Sequence, residues 1–269
     1  MIVKYVDAHC HLQFDEYHSD RDTIIEQMRE KGVAGIIVGC DYESSQKAIA
    51  LAEKHGHLYA SVGQHPNHAE DFNEQGIRAL LVHPRVVAVG ECGLDYFRPN
   101  EATEGVKNAQ KELFKKHIAL AVEFNKPLIL HVRPSKDTMD AYHDAIQILK
   151  EAKSQHSNLR GDVHFFVGGV SEAEALLALG FTISFTAVIT FARDYDDVIK
   201  TVPLDHILCD TDAPYVASAS RRGQRNDPLA VIDIVAKIAE IKNEDPENVR
   251  KTLLANTLRV FTLCCAEAA

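Results

Sequence analysis

Eight short apolar runs recur along the chain, separated by longer segments of helical spacing, and this alternation limits the folds open to it. The runs are VKYVDA from Val3, VAGIIVG from Val33, LYASVG from Leu58, VVAVGE from Val86, PLILHV from Pro127, DVHFF from Asp162, FTISF from Phe181 and HILCD from His206. Between them the apolar period is that of helices, most plainly at Leu113, His117, Leu120 and Phe124 and in VIDIVAKIAEIK from Val231. Stretches such as GIIV and LILHV are nearly continuous apolar runs, as strands covered on both faces are, which indicates parallel pairing. Eight βα units in 269 residues predict an α/β fold, a closed TIM-like (β/α)8 barrel, with an open doubly wound sheet as the rival. No Ser/Gly/Pro-rich linker or charge block divides the chain, so residues 1–269 are read as a single domain. From Asp227 onward the pattern is wholly helical, and CCAEAA at the end is expected to fray.

A chain 46% hydrophobic and 25% charged has ample material for a core and no disorder signature. No apolar run approaches the roughly 18 residues that span a bilayer, and MIVKYVDAHC lacks a signal-peptide pattern, so a cytoplasmic protein with no membrane contact is expected. Six cysteines include no CxxC, and Cys40 and Cys209 fall in apolar strand-like runs, as buried reduced thiols do. The formal charge of −10 argues against a generally basic surface coating nucleic acid, though a local phosphate-binding groove is compatible with it.

Placed against the eight runs, a subset of histidines and carboxylates falls at or just past the strands' C-terminal ends: His9, His11, His65, Glu91, His131, His164 and Asp212. In a barrel those ends share one rim, which is where active sites of this fold lie. His9 and His11 are two apart on a strand and so project together, while Cys10 between them faces away, as Cys92 does beside Glu91. A lone strand histidine is more often a hydrogen-bonded core residue than a ligand. Seven such residues on one rim are better explained by a metal centre. Even with His65 set aside, four imidazoles and two carboxylates exceed the three protein ligands usual for one catalytic zinc, so two divalent ions are expected, with Glu91 able to bridge them. One ion lowers the pKa of a bound water, and both offset charge at the attacked centre, which suits phosphodiester cleavage. Imidazoles favour zinc, and phosphoryl chemistry accepts magnesium or manganese, so the metal is left open. His117, on a helix core face, and His206, at a strand start, are read as structural, and His68 in HPNH lies near the site.

Positive charge is uneven. PYVASASRRGQRN after the last run carries Arg221, Arg222 and Arg225 with no acidic residue, and Arg133 and Lys136 follow His131. Both loops open on the rim. Their arginines are candidate phosphate contacts, and Tyr96, Phe97 and Tyr215 candidate stacking surfaces for unpaired bases.

In DAHCHL, SVGQHP, GECGLDY, FNKPLILHVR, HFFVGG, DTDAPY, RGQRNDP and NTLRVF the chain resembles the TatD family of metal-dependent deoxyribonucleases, within the amidohydrolase superfamily. The resemblance covers most of the chain. It implies that His9, His11, Glu91 and Asp212 bind one metal, that Glu91, His131 and His164 bind a second, and that His65 contacts the scissile phosphate. Asp7 and Asp95 are read as partners that orient histidines or water from behind the ligands. The implied activity is hydrolysis of DNA, single strands favoured, from the 3′ end, with Glu91, Asp212 and His65 as the catalytic set and no obligate protein partner. The chain departs from the family pattern at Asp210, where relatives commonly have Glu, at Asn67 in HPN, and in HFFVGG, which lacks a serine often found there.

Two other readings compete with the nuclease. A metal-dependent hydrolase of a small amide, ester or lactone uses the same centre, because fold does not fix substrate. A non-catalytic binding protein on this barrel would be expected to have lost part of the ligand set, and here every position is filled.

Overall fold

The strands pair in chain order and all parallel, as a repeated right-handed βα unit requires. The computed structural model describes residues 1–98 and 103–263. Its first half comprises β1 (Tyr5–Cys10), α1 (Arg21–Lys31), β2 (Val33–Val38), α2 (Tyr42–Lys54), β3 (Leu58–Val62), α3 (Glu74–Leu80), β4 (Val86–Asp95) and α4 (Glu104–Glu123). Then come β5 (Leu128–Arg133), α5 (Asp140–Gln155), β6 (Gly161–Val163), α6 (Val170–Ala178), β7 (Thr182–Phe185), α7 (Asp196–Thr201), β8 (Ile207–Cys209), α8 (Val231–Lys242) and α9 (Pro246–Phe261). This is the expected TIM-like (β/α)8 barrel, nearly closed. The end of the chain, CCAEAA, lies outside the described residues.

Among the described residues, β1 is bridged to the far side of the barrel at the upper edge, through the segment that follows β8. Asp212 N–H donates to His9 O at 2.9 Å, and His11 N–H to Ala213 O at 2.8 Å. That pairing places Asp212 beside the β1 histidines although they stand at opposite ends of the sequence. Lower down the Asp7 carboxylate substitutes for ladder bonds, accepting from Thr211 N–H (2.9 Å), Thr211 Oγ1 (2.6 Å) and His9 N–H (3.2 Å). Its protein partners are backbone and a hydroxyl rather than a histidine ring, and through them Asp7 fastens β1 to the segment after β8.

Period-two alternation sorts the strands into outward and inward rows, except that β1 and β4 shift register between Asp7 and Cys10 and between Val89 and Cys92. The outward row packs on the helices in the larger apolar cluster. The inward row begins at the bottom with Ile36, Val38, Tyr59, Ala88, Ile129 and Leu208, which pack with Leu254, Val260 and Phe261 of α9. Helix α9 starts sharply because Asp245 caps Asn248 N–H at 2.8 Å and Pro246 follows at the first helical position. Fully burying each such side chain is worth roughly 1.5–3 kcal/mol, so this plug anchors the barrel floor. Continued upward at the same parity, the inward row turns polar: Cys40, His131, His164 and Asp210.

Two expected runs differ from what forms. DVHFF contributes only Asp162 and Val163 to the strand Gly161–Val163, because Phe165 adopts φ +45° and turns the chain away. VVAVGE extends to Asp95, and this longer strand depends on Gly93, at φ +134°, where a Cβ would stand 2.1 Å from His131 O of the neighbouring strand.

Candidate metal centre

The expected rim residues meet above the apolar plug, and Glu91 stands between two sets of them. Its Oε2 faces His9 Nε2 at 3.6 Å. Its Oε1 lies 2.9 Å from His164 Nε2 and 3.0 Å from His131 Nδ1. On the Oε2 side, His9 Nε2 and His11 Nε2 are 3.1 Å apart, with Asp212 Oδ1 3.9 Å and 3.5 Å from them respectively. On the Oε1 side, His164 Nε2 and His131 Nδ1 are 3.4 Å apart.

Those spacings match a cation centre. Ligand atoms on a tetrahedral ion with bonds of about 2.1 Å stand about 3.4 Å apart. Lone pairs aimed at each other across that gap repel unless a proton or a cation lies between them. Tautomers agree with the geometry. His11 Nδ1 is 2.9 Å from Val38 O, which takes its proton and leaves Nε2 free. His131 Nε2 is 3.1 Å from Asp95 Oδ2, which takes its proton and leaves Nδ1 free. The donor set therefore fits metal ions.

His65 differs. Its Nδ1 accepts from Asn67 N–H at 3.2 Å, so the proton sits on Nε2, 3.8 Å from Glu91 Oε1. Burial and the neighbouring His131 push its pKa down to about 3, leaving a neutral ring that donates a hydrogen bond. Burial opposes ionisation of Glu91, yet His164, His65 and His9 outweigh it and hold the carboxyl well below its ordinary value.

Beneath the donors lies a buried polar layer. Asp210 accepts from Phe165 N–H at 3.1 Å and from Ser184, whose hydroxyl also lies 2.8 Å from Asp162. Burial pushes Asp210 up to about 7 and Asp162 up to about 6.

A cleft of about 700 Å³ opens above the centre. Arg133 lines it as expected, its guanidinium 4.1 Å over the Phe97 ring. Arg221, Arg222 and Arg225 do not line it. Arg221 is paired with Asp227 at 2.6 Å, Arg225 with Asp20 at 3.0 Å while stacked on Tyr17, and Arg222 lies over Phe191. Arg221 and Arg225 thus find acidic partners outside the loop, and Arg222 an aromatic ring, which the loop's composition could not reveal. Tyr96 is also corrected as a stacking surface: it is 2% exposed and its hydroxyl donates to Asp144. Phe97 and Tyr215 are 48% and 45% exposed, and Tyr215 lines the cleft.

Sequence reasoning missed several cleft residues, Cys40 and Arg98 among them. Cys40 lies just past β2 rather than inside it, its Sγ 3.5 Å from Glu91 Oε2 and 3.7 Å from His11 Nδ1. Its even-numbered place in the row of Ile36 and Val38 was the available signal. Arg98, directly after Phe97, also lines the cleft. His68 does so too, whereas His117 is structural, its Nε2 accepting from Gln64 N–H at 3.0 Å. Among the described residues no helix is long and apolar enough to cross a membrane.

Comparison with known proteins gives a consistent answer. The family model for TatD related DNases matches residues 6–262. The chain is 34% identical to the uncharacterized metal-dependent hydrolase YabD of Bacillus subtilis, over 96% of this chain and 98% of that protein. It is 30% identical to a 3′-5′ ssDNA/RNA exonuclease TatD of Erwinia amylovora, over 96% and 99% of the two. The structure of the TatD homolog YjjV from Escherichia coli superposes with a TM-score of 0.88 at 29% identity, covering 98% of this chain and all of that one (100%).

Proposed function

The chain belongs to the TatD family of metal-dependent hydrolases, and from that premise we propose that it is a nuclease removing nucleotides from the 3′ end of single-stranded DNA. The observation that carries this reading is the position of Glu91, one oxygen toward His9 and the other toward His131 and His164, beneath a cleft walled by Arg133 and Arg98. In this reading residues 1–269 act as one hydrolase domain. His9, His11, Glu91 and Asp212 hold one divalent ion, and Glu91, His131 and His164 hold a second.

Zinc, manganese or magnesium bound there would supply a water of lowered pKa and positive charge against the phosphate. The chain's own groups do the rest. His65 donates from Nε2 to a non-bridging oxygen of the scissile phosphate, and Arg133 and Arg98 hold phosphates farther along the strand. Asp212, beside His11 Nε2, takes the proton of the attacking water. Asp95 keeps His131 in one orientation throughout. Tyr215 offers a face to the terminal base. A cytoplasmic location fits the free thiols Cys10, Cys40, Cys92 and Cys209 among the described residues.

A second reading is hydrolysis of a small amide, ester or lactone. One observation favours it: with Arg221, Arg222 and Arg225 engaged elsewhere, the cleft is of small-molecule size, about 700 Å³. The deciding experiment is turnover of purified protein on 3′- and 5′-labelled single strands, duplex DNA, RNA and a panel of esters, with each metal supplied separately. Shortening from the 3′ end of single strands supports the nuclease. Ester turnover with intact oligonucleotides rejects it.

A further inference from the structure

Strand β6 breaks early. The strand ends at Val163, and the left-handed φ of +45° at Phe165 turns the chain so that the His164 ring stacks on His9, centroids 3.8 Å apart. The flanking N–H groups have backbone acceptors: His164 N–H donates to Leu130 O at 3.0 Å, and Phe166 N–H to Ser184 O at 2.9 Å. Phe165 N–H, displaced from the ladder by the turn, donates instead to Asp210 Oδ2 at 3.1 Å.

Asp210 is fully buried. A carboxylate inside an apolar barrel is costly, so its placement calls for a structural reason. Neither oxygen bonds a metal-donor side chain. Oδ2 takes Phe165 N–H and the Ser184 hydroxyl, and Oδ1 has no partner. The backbone of Asp210 extends β8, its N–H donating to Phe185 O at 3.3 Å, and two residues later the chain presents Asp212. One residue therefore joins the turn that aims His164 to the segment that carries Asp212.

We infer that Asp210 is a positioning residue that fixes His164, and thereby the Glu91–His131–His164 donor group, by accepting Phe165 N–H. This rests on the two-ion reading above. The role asks for an acceptor, not a charge. Asp210→Asn keeps one, and Asp210→Leu removes it at similar volume.

The test is zinc titration of metal-free protein against a chromophoric chelator, which reads each ion's affinity without catalysis. In Asp210→Leu the second zinc is held about 10–100-fold more weakly, while the first zinc, and both zincs in Asp210→Asn, stay within about threefold of the unsubstituted chain. Equal binding in Asp210→Leu, or equal losses in Asn and Leu variants, overturns the inference. Should the Leu variant fail to fold, amide exchange in the unsubstituted protein decides: Phe165 N–H is protected, and exchange at the rate of a free peptide overturns it. An unsubstituted chain that binds no second zinc contradicts the two-ion reading and this inference together. Two zincs untouched by Asp210→Leu contradict this inference alone.

Discussion

His164 Nε2 lies 2.9 Å from Glu91 Oε1, and that carboxylate, working against burial, lifts the imidazole pKa to about 9. His11 is likewise lifted to about 9, against burial, by Asp212 and Glu91. Without metal both rings hold protons at pH 7, and incoming ions displace them. Because the displaced protons are bound below pH 9, apparent metal affinity rises with pH from 6 to 8, and filling the centre at pH 7 releases protons. Zinc calorimetry in buffers of different ionisation heat measures the release. Heats independent of the buffer contradict it.

Asp95 accepts from His131 Nε2 and also from Asn67 Nδ2 at 3.2 Å and the N–H groups of Phe97 and Arg98 at 3.0 and 2.9 Å. Asp95→Asn sets an amide against some of these donors and frees the His131 ring to turn. Zinc affinity falls about 10–100-fold, with a greater effect on the ion nearer His131. Equilibrium dialysis checks this, and unaltered affinity sinks the assignment.

The arginines separate into two groups with different expected effects. Arg133→Ala weakens oligonucleotide binding and lowers the slope of log affinity against log salt by about 1, as loss of one phosphate contact does. Replacing Arg221, Arg222 and Arg225 together removes part-exposed ion pairs and costs about 0–1 kcal/mol per pair, with the salt slope unchanged. Binding titrations at several salt concentrations, beside a thermal melt, tell the groups apart.

Cys40 lines the cleft, and burial followed by the Glu91 charge pushes its thiol pKa well above the ordinary value. In metal-free protein iodoacetamide should therefore modify it slowly at pH 7 and faster as pH rises. The added group fills the space beside Glu91, so modified protein loses hydrolysis, and Cys40→Ser resists the reagent. Mass spectrometry paired with activity follows both. Full activity after complete labelling at Cys40 contradicts its placement.

Much of the barrel was legible in the sequence because its physics is local: GIIV and LILHV are nearly continuous apolar runs, and the helices keep their own period. The donor residues were legible for a related reason, since strand parity alone places His9 with His11 and Cys10 away from both. What stayed hidden depends on contacts distant in sequence. Arg225 gave no sign that Asp20 would neutralise it, nor Asp7 that its partner would be Thr211 rather than a ring. The early end of β6 at Val163 could not be read either, because DVHFF carries full strand propensity and the turn at Phe165 is held by Asp210 from another strand.

Metal content and single-strand hydrolysis of Glu91→Ala, measured under conditions matched to the unsubstituted protein, test the central claim most directly. The account predicts that the metal content falls from two ions per chain to below one, with hydrolysis reduced about 10³-fold or more. Two ions retained with undiminished hydrolysis would show that Glu91 bridges nothing.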